Sequence, residues 1–560
     1  MKRNSLKKSF HPATSTFLPL LAAILFYFIF LISNAYSQQP TQEWVARIPG
    51  PTNDLFGPFL EVDKQGNSYV AGCLVVNDTP KVLCAKYNTD GVQQWSSLYV
   101  YPIEAYIRPT GLALDSNGNA YVIAEQGPAY DLPHNGLIVK FDNSGGNPVW
   151  VKRYIGQYGW GPFRDIKIDR LNNIFVVGWT DSSRLVIRYN TDGDSVWVRK
   201  NKAPWLVREV TRACTIDDSS NVIFTGQRRF YYPPFGYYDS LLVGKYSSSG
   251  ILRWESVYAY NLLGSDVGTK IINDQNGNAF IGGVSTISGY SIYLSMKYNG
   301  NGILQWAKIF DAPGNGSNTL NGIELDKINN VLFVTGGATT NGIQMATTLK
   351  YNTLTGDSLW VRRDTGTFTR ANNSAICVDS SGFCYTTGGS YNLGLLPFDI
   401  MCIKYSSLGN PIWSIMYNGP FNGIDYGVDI AIDELRNIYV LGTSESGAGL
   451  KDYVIIKYNQ ILGINPISNN NPTTFKLEQN FPNPFNPQTM IRFSVAKKSF
   501  VQLRVIDVLG RVVKVVVEEE LKPSVYQVTV DGSSYSSGIY FYQLTADGKI
   551  IDTKKLVIIK

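Results

Sequence analysis

VDKQGNSYVAG at 62–72, followed by KYNTDGVQQW at 86–95, is the stretch that decides the fold. The first part is an apolar run ending in Asp63, a turn rich in Gly and Asn, and a second apolar run ending in Gly72. An aspartate placed there can accept hydrogen bonds from the backbone amides just ahead of it, while Gly or Asn supplies positive φ. The hairpin recurs as LDSNGNAYVIA at 114–124, IDRLNNIFVVG at 168–178, IDDSSNVIFTG at 216–226, NDQNGNAFIGG at 273–283, LDKINNVLFVTG at 325–336, VDSSGFCYTTG at 378–388 and IDELRNIYVLG at 432–442. Its aspartates stand at 63, 115, 169, 217, 274, 326, 379 and 433, with gaps of 52, 54, 48, 57, 52, 53 and 54 residues. The second part recurs as KFDNSGGNPVW at 140–150, RYNTDGDSVW at 188–197, KYSSSGILRW at 245–254, KYNGNGILQW at 297–306, KYNTLTGDSLW at 350–360 and KYSSLGNPIW at 404–413. An eighth copy begins at Lys457-Tyr458-Asn459 and reaches no tryptophan. Each unit holds four short apolar stretches with strand-like alternation, and none sustains a helical period. Four strands in a unit of about 53 residues are the signature of a propeller blade.

The ends of the array fit together. Trp44, in Glu-Trp-Val-Ala-Arg, precedes the first complete hairpin, and the last unit lacks its tryptophan strand. If the Trp44 strand completes the eighth blade, both exposed sheet edges disappear. The expected fold is therefore all-β: an eight-bladed β-propeller over residues 38–460, with four-stranded blades and a ring closed by the N-terminal strand. Seven blades is the nearest alternative. The hairpin pattern resembles the NHL repeat and, more closely, the bacterial SBBP propeller repeat, as in Asp425-Tyr426-Gly427-Val428-Asp429-Ile430-Ala431-Ile432-Asp433. Neither resemblance implies a catalytic residue.

Residues 1–37 have the layout of a secretory signal peptide: basic Lys2, Arg3, Lys7 and Lys8, an apolar run from Phe17 to Ile32, then small residues suited to cleavage after Ala35 or Ser37. A retained anchor is the rival, but the apolar run is short for a membrane span, and no transmembrane segment is expected after cleavage. The formal charge of +6 resides at the two ends, because the leader and residues 475–560 each contribute +4 and leave the middle at −2. A near-neutral body offers no electrostatic case for nucleic acid. Of two histidines only His134 follows the leader, in the loop Asp131–Gly136, where it reads as part of a solvated turn. A multi-histidine metal site is therefore impossible, and neither metal nor cofactor is expected. The repeat aspartates lack the oxygen-rich loop pattern of calcium sites and read as turn caps. The six cysteines show no CxxC spacing. Bridges between Cys73 and Cys84, or Cys384 and Cys402, are conceivable in an oxidising compartment, and burial as small apolar residues is favoured. The repeated tryptophans read as packing between blades rather than as sugar platforms.

In a propeller the a–b and c–d turns share one face, and here both are short and uniform. All length variation falls on the other face, in the b–c and d–a loops, and variable loops on a rigid scaffold are where binding resides. Two stand out, the d–a loop 156–163 and the b–c loop 228–238. The candidate ligand-binding residues are Tyr158, Trp160, Phe163, Arg229, Tyr231, Tyr232, Phe235 and Tyr237, which could stack on sugar rings or grip a peptide. The competing reading is an aromatic cluster that only stabilises the loops. Glu61, Arg164, Lys270 and Glu324 lie on inner-strand stretches and would mark an axial site if they point inward.

After a linker at 461–474, residues 475–560 read as a separate small Ig-like β-sandwich, with alternation at Val501–Val505 and Ile539–Leu544 and turns at Leu509-Gly510 and Asp547-Gly548. Its motifs are Asn480-Phe481-Pro482-Asn483-Pro484-Phe485-Asn486-Pro487, Asp507-Val508-Leu509-Gly510-Arg511, Ser537-Gly538-Ile539-Tyr540-Phe541-Tyr542, and Lys554-Lys555 with Lys560. Together they resemble the type A sorting domain of the type IX secretion system. That resemblance implies a Gram-negative host, passage through the periplasm, contact with the secretion machinery, and a cargo that ends on the cell surface or in the medium. The expected cargo function is non-catalytic binding of a surface glycan or protein. The alternative is a carboxylate-based glycosidase or lyase on the same scaffold, for which no carboxylate pair is identifiable.

Overall fold

The computed structural model describes residues 39–559 except 51–57, 77–78, 101–105, 129–133, 182, 202–206, 235, 261–263, 288, 315, 380–381, 393–394, 448–449, 461–464, 469–471 and 533–534. The expected signal peptide and Lys560 lie outside these residues. Eight four-stranded antiparallel sheets follow one another along the chain, each ordered a-b-c-d outward from one inner strand. The inner strands of consecutive blades lie side by side, and that of blade 8, Tyr426–Ile432, lies against that of blade 1, Phe59–Val62. The strand Thr41–Pro49 pairs antiparallel with Leu450–Asn459, so the N-terminal strand supplies the fourth strand of blade 8. Blade 8 packs on blade 1 through Tyr439, Leu441 and Tyr453 against Leu60, Val70 and Leu83.

The hairpin chemistry matches the sequence reading. Asp115 Oδ1 accepts the amides of Asn117 and Asn119, both at 2.9 Å, and its Oδ2 accepts Asn119 Nδ2 at 2.8 Å. The same amide bonds recur at Asp63, Asp169, Asp217 and Asp433. The tryptophans pack between blades. Trp254 Nε1 of blade 4 donates to the carbonyl of Gly300 in the c–d turn of blade 5 at 2.9 Å, and its ring covers Gly302 of that turn. Trp44, Trp95, Trp150, Trp197, Trp306 and Trp360 latch the following blade in the same way. The turn glycine takes positive φ and leaves no room for a β-carbon under the indole. All six cysteines are buried free thiols.

A second regularity was not visible in the sequence. Seven inner strands, all except the short one of blade 1, carry a β-bulge five residues before the repeat aspartate. The bulged residues are Thr110, Arg164, Arg212, Thr269, Asn321, Ser374 and Val428. A bulge leaves one residue out of the ladder and re-aims its side chain.

The C-terminal region forms two further four-stranded sheets around one core that contains Phe493, Val501, Leu503, Val505, Tyr542 and Leu556. Four residues of the expected linker, Asn465–Ser468, pair with the strand Ser524–Asp531 and so belong to this region's sheet. The motif asparagines act as ties. Buried Asn480 donates from Nδ2 to Thr489 Oγ1 at 2.9 Å and to the carbonyl of Pro482 at 3.1 Å. Asn483 bonds the last strand through the carbonyl of Lys555 and the amide of Val557. Pro482, Pro484 and Pro487 each follow a cis peptide bond.

Candidate functional site

Six of the seven bulged residues, all but Thr269, line cavities at the propeller axis. One cavity of about 420 Å³ touches inner strands of seven blades, a position that only the axis offers, and Thr110, Arg164, Asn321, Ser374 and Val428 are among its walls. A second cavity, also about 420 Å³, adjoins it and shares Arg108 and Arg164. Its other walls are Trp179, Arg208, Val210, Arg212, Gln227 and Arg229. Five arginines from blades 2, 3 and 4 thus converge where the variable face meets the axis. A third cavity, about 720 Å³, opens on the uniform-turn side between Glu61, Asp63, Lys86, Asn117, Asn143 and Lys167.

The arginines differ in their partners. Arg164 Nη1 lies 3.1 Å from Glu125 Oε2, and Arg108 Nη1 lies 3.4 Å from Glu125 Oε1. Arg229 grips Asp239 with two bonds of 2.8 and 2.9 Å. Arg212 donates from Nε to Gln227 Oε1 at 3.0 Å, and Gln227 in turn donates to Asp239. Arg208 stacks over Trp179, 4.2 Å from the ring centre, while its buried Nε meets no hydrogen-bond acceptor among the described residues. Glu209, next to Arg208, faces the other way. It lies 3.4 Å from Arg184 and also pairs with Arg228 and Asn201, so its charge is spent between blades 3 and 4. Burial and then the guanidinium of Arg229 hold Arg208 below the usual arginine basicity; burial and then Arg164 do the same for Arg212.

An aromatic run backs this pocket. Trp179 stacks on Trp160 at 5.5 Å, Trp160 meets His134 edge-on at 6.0 Å, and His134 stacks on Tyr106 at 4.5 Å. His134 is buried, with Nδ1 3.9 Å from Glu125, which corrects the solvated-turn expectation: the aromatic neighbours exclude water from it.

The loop candidates separate. Trp160 joins the aromatic run and Arg229 lines the pocket. Phe163 is completely buried in the core between blades 2 and 3. Tyr158 is 73% exposed at its loop tip. The segment 228–238 is not a loop: strands Val222–Tyr232 and Gly236–Tyr246 run on as a long hairpin, because its aromatic residues pair across the two strands. Tyr231 and Tyr237 meet at 5.0 Å at its tip, yet Tyr237 stays 63% exposed. Phe235 and the side chain of Tyr232 lie outside the described residues. Arg164 and Lys270 do point into the axial cavity. Glu61 and Glu324 lie deeper, where burial raises both carboxyls to about 7; Lys167 opposes the shift at each, and Asp429 and Asp165 add to it at Glu61. Arg108, Arg208 and Arg212 were missed. The available signal was a departure from the repeat: at the bulge position only blades 3 and 4 carry arginine, among Thr, Asn, Ser and Val elsewhere. Among the described residues no group of three or more His, Cys, Asp or Glu side chains could hold a metal ion, and no helix is long and apolar enough to cross a membrane.

Residues 479–560 match the family described as a secretion system C-terminal sorting domain. This domain directs the chain out of the cell by the type IX route, to the surface or the medium. No curated protein matches the chain. Among solved structures it is similar to Sqt1 of Chaetomium thermophilum, at 8% identity over 75% of this chain and 98% of that one with a TM-score of 0.47. It is also similar to virginiamycin B lyase of Staphylococcus aureus, at 12% identity over 74% and 98% with a TM-score of 0.36. A polysaccharide lyase, Uly1, aligns at 9% identity over 77% and 95% with a TM-score of 0.38.

Proposed function

We propose that the propeller is a non-catalytic glycan-binding module that holds its ligand at the axial mouth between blades 2 and 4. The observation that carries this reading is the pair of adjoining cavities whose walls are the residues that depart from the repeat. Their combined size suits a sugar-sized group, and their chemistry is guanidinium, hydroxyl, amide and aromatic. Glu125 and Asp239 are occupied by arginines, and Asp429, the carboxylate that lines the axial cavity, accepts the backbone amides of Leu60 and Ile430. In this reading residues 1–37 are cleaved after entry to the periplasm of a Gram-negative cell. Residues 38–460 are then the cargo and 475–560 its address, recognised through the Asn480–Pro487 and Lys554-Lys555 motifs, the turn at Gly510 and the strand residues Gly538 and Tyr540. The enzyme alternative has one observation in its favour, the raised carboxyls of Glu61 and Glu324 near the axis.

A glycan-array screen of the purified protein, scoring retention and cleavage together, tests the reading. Saturable retention without products, weakened by replacing Trp160 with Ala, is the expected result. Released products that vanish in Glu61→Gln or Glu324→Gln would establish the enzyme instead.

A further inference from the structure

We infer that the pocket between blades 2, 3 and 4 is an anion receptor, and that the saccharide it takes carries an acidic group, a carboxylate or a sulfate ester, seated among Arg164, Arg208 and Arg212. The inference rests on the glycan-binding reading above and names the class of glycan.

The charge balance makes the case. Five guanidinium groups line the pocket, and the described carboxylates paired with them are Glu125 and Asp239. Arg208 and Arg212 have no carboxylate within ion-pair distance among the described residues. The pairs explain the positions of Arg108, Arg164 and Arg229, and the Trp179 face explains that of Arg208. Arg212 is held by the amide of Gln227 rather than by a carboxylate, and it lies near Arg164, where two like charges repel. Buried polar atoms with no partner point the same way: Arg208 Nε and, in the adjoining cavity, Thr110 Oγ1. Unsatisfied groups of this kind are costly to keep, and an oxyanion in the pocket would satisfy Arg208 Nε.

The shape narrows the ligand. Guanidinium forks match planar or tetrahedral oxyanions through paired N–H donors. The guanidiniums of Arg208, Arg212 and Arg229 belong to one pocket alone, while the adjoining cavity, which shares Arg108 and Arg164 and adds Lys270 and Asp429, also offers Thr110, Asn321 and Ser374 beside Phe59 and Ile323. An anionic group among the arginines, with sugar hydroxyls meeting Thr110, Asn321 and Ser374 behind it, fits that division. The pocket therefore reads a terminal or branch acidic unit that enters along the axis.

Isothermal titration of the full chain with hexagalacturonate, a chondroitin sulfate hexasaccharide and neutral cellohexaose, at low and high NaCl, tests this. The expected result is binding of one or both acidic oligosaccharides, weakened by salt, with the neutral one at least about tenfold weaker. Binding of hexagalacturonate shows that a carboxylate suffices, whereas binding of chondroitin sulfate without hexagalacturonate points to the sulfate ester. Arg164→Gln and Arg212→Gln should each weaken binding about 10- to 100-fold, the range for a charged hydrogen-bonding group. Arg212→Lys, which keeps charge and loses the fork, should fall between. If Arg164→Gln unfolds the chain by leaving Glu125 short of a partner, Arg212→Gln carries the test, since it strands no carboxylate. Equal binding of the neutral and acidic probes overturns the anion inference and leaves glycan binding standing. Acidic binding untouched by the Arg212 variants moves the site elsewhere and overturns it too. No binding by any of the three removes the glycan reading and the inference with it.

Discussion

Two glycines of blade 5 separate the latch between blades from the cost of the turn that carries it. Gly302, at φ 80°, sits in the c–d turn, and a β-carbon added there would lie 2.5 Å from the Trp254 ring of blade 4. Gly289, at φ 89°, sits in the b–c turn with nothing within 4 Å of the same added atom. Replacing either with Ala imposes the left-handed penalty of about 1–2 kcal/mol. Only Gly302→Ala also displaces the indole. That displacement threatens the 2.9 Å bond from Trp254 to the carbonyl of Gly300, worth about 1 kcal/mol, and overpacks the contact at a cost of about 1–3 kcal/mol. Urea unfolding followed by tryptophan fluorescence should therefore place Gly302→Ala about 2–4 kcal/mol below Gly289→Ala, taking a common denaturant slope. In a Trp254→Ala background the extra cost of Gly302→Ala should disappear, because the clashing ring has gone. Equal midpoints for the two single variants, or an excess that survives loss of Trp254, would refute the latch.

Three further outcomes are expected. Glu324 ionises near 4.5 in an unfolded chain and near 7 in the folded one. The folded state thus holds a proton that the unfolded state has lost, and the stability this contributes below pH 4.5 disappears as pH rises to 7. Glu324→Gln should leave stability unchanged at pH 4 and raise it at pH 8 by about 1–2 kcal/mol, less than the full shift implies because the side chain keeps some solvent contact; no difference between the two pH values in urea titrations would contradict this. Removing residues 39–50 strips blade 8 of its outer strand and bares the edge of Leu450–Asn459, so size-exclusion chromatography should show edge-paired dimers or larger species, and a stable monomer would count against the shared blade. Deleting residues 475–560 should leave the propeller in the periplasm, as read by cell fractionation, whereas normal export would show that the sorting domain is dispensable.

The parts legible in the sequence were those written eight times. Asp63 and its equivalents, the glycines of the c–d turns and the tryptophans recur because each performs one local task identically in every blade, so their spacing announces both the strands and the latch. The shared blade was legible for the same reason: an array that begins with a tryptophan strand and ends without one has a complementary pair of ends. What stayed hidden depends on backbone geometry with no side-chain signature. The bulge holds Thr, Arg, Asn, Ser or Val with no preference, since a residue outside the ladder is chosen for where it points. The long hairpin looked like a loop because Pro233-Pro234 and clustered aromatics suggest irregular chain, and His134 looked solvated because its partners Tyr106, Glu125 and Trp160 come from three separate stretches.

That division suggests how function enters a repeat fold. A position that recurs without preference is free to vary, so its few costly choices are informative. Arginine at the bulge of blade 4 costs stability twice, through burial and through repulsion by Arg164, while Thr110, Asn321 and Ser374 occupy the same place in other blades with no charge to bury. Removing that cost should therefore strengthen the empty protein. Arg212→Gln is expected to raise the melting temperature in the absence of saccharide, by an amount on the order of 1 kcal/mol in stability, and to reduce the further rise that an acidic oligosaccharide produces. A protein in which Arg212 served only to hold the fold would do the reverse, melting lower without ligand, and differential scanning calorimetry with and without hexagalacturonate distinguishes the two.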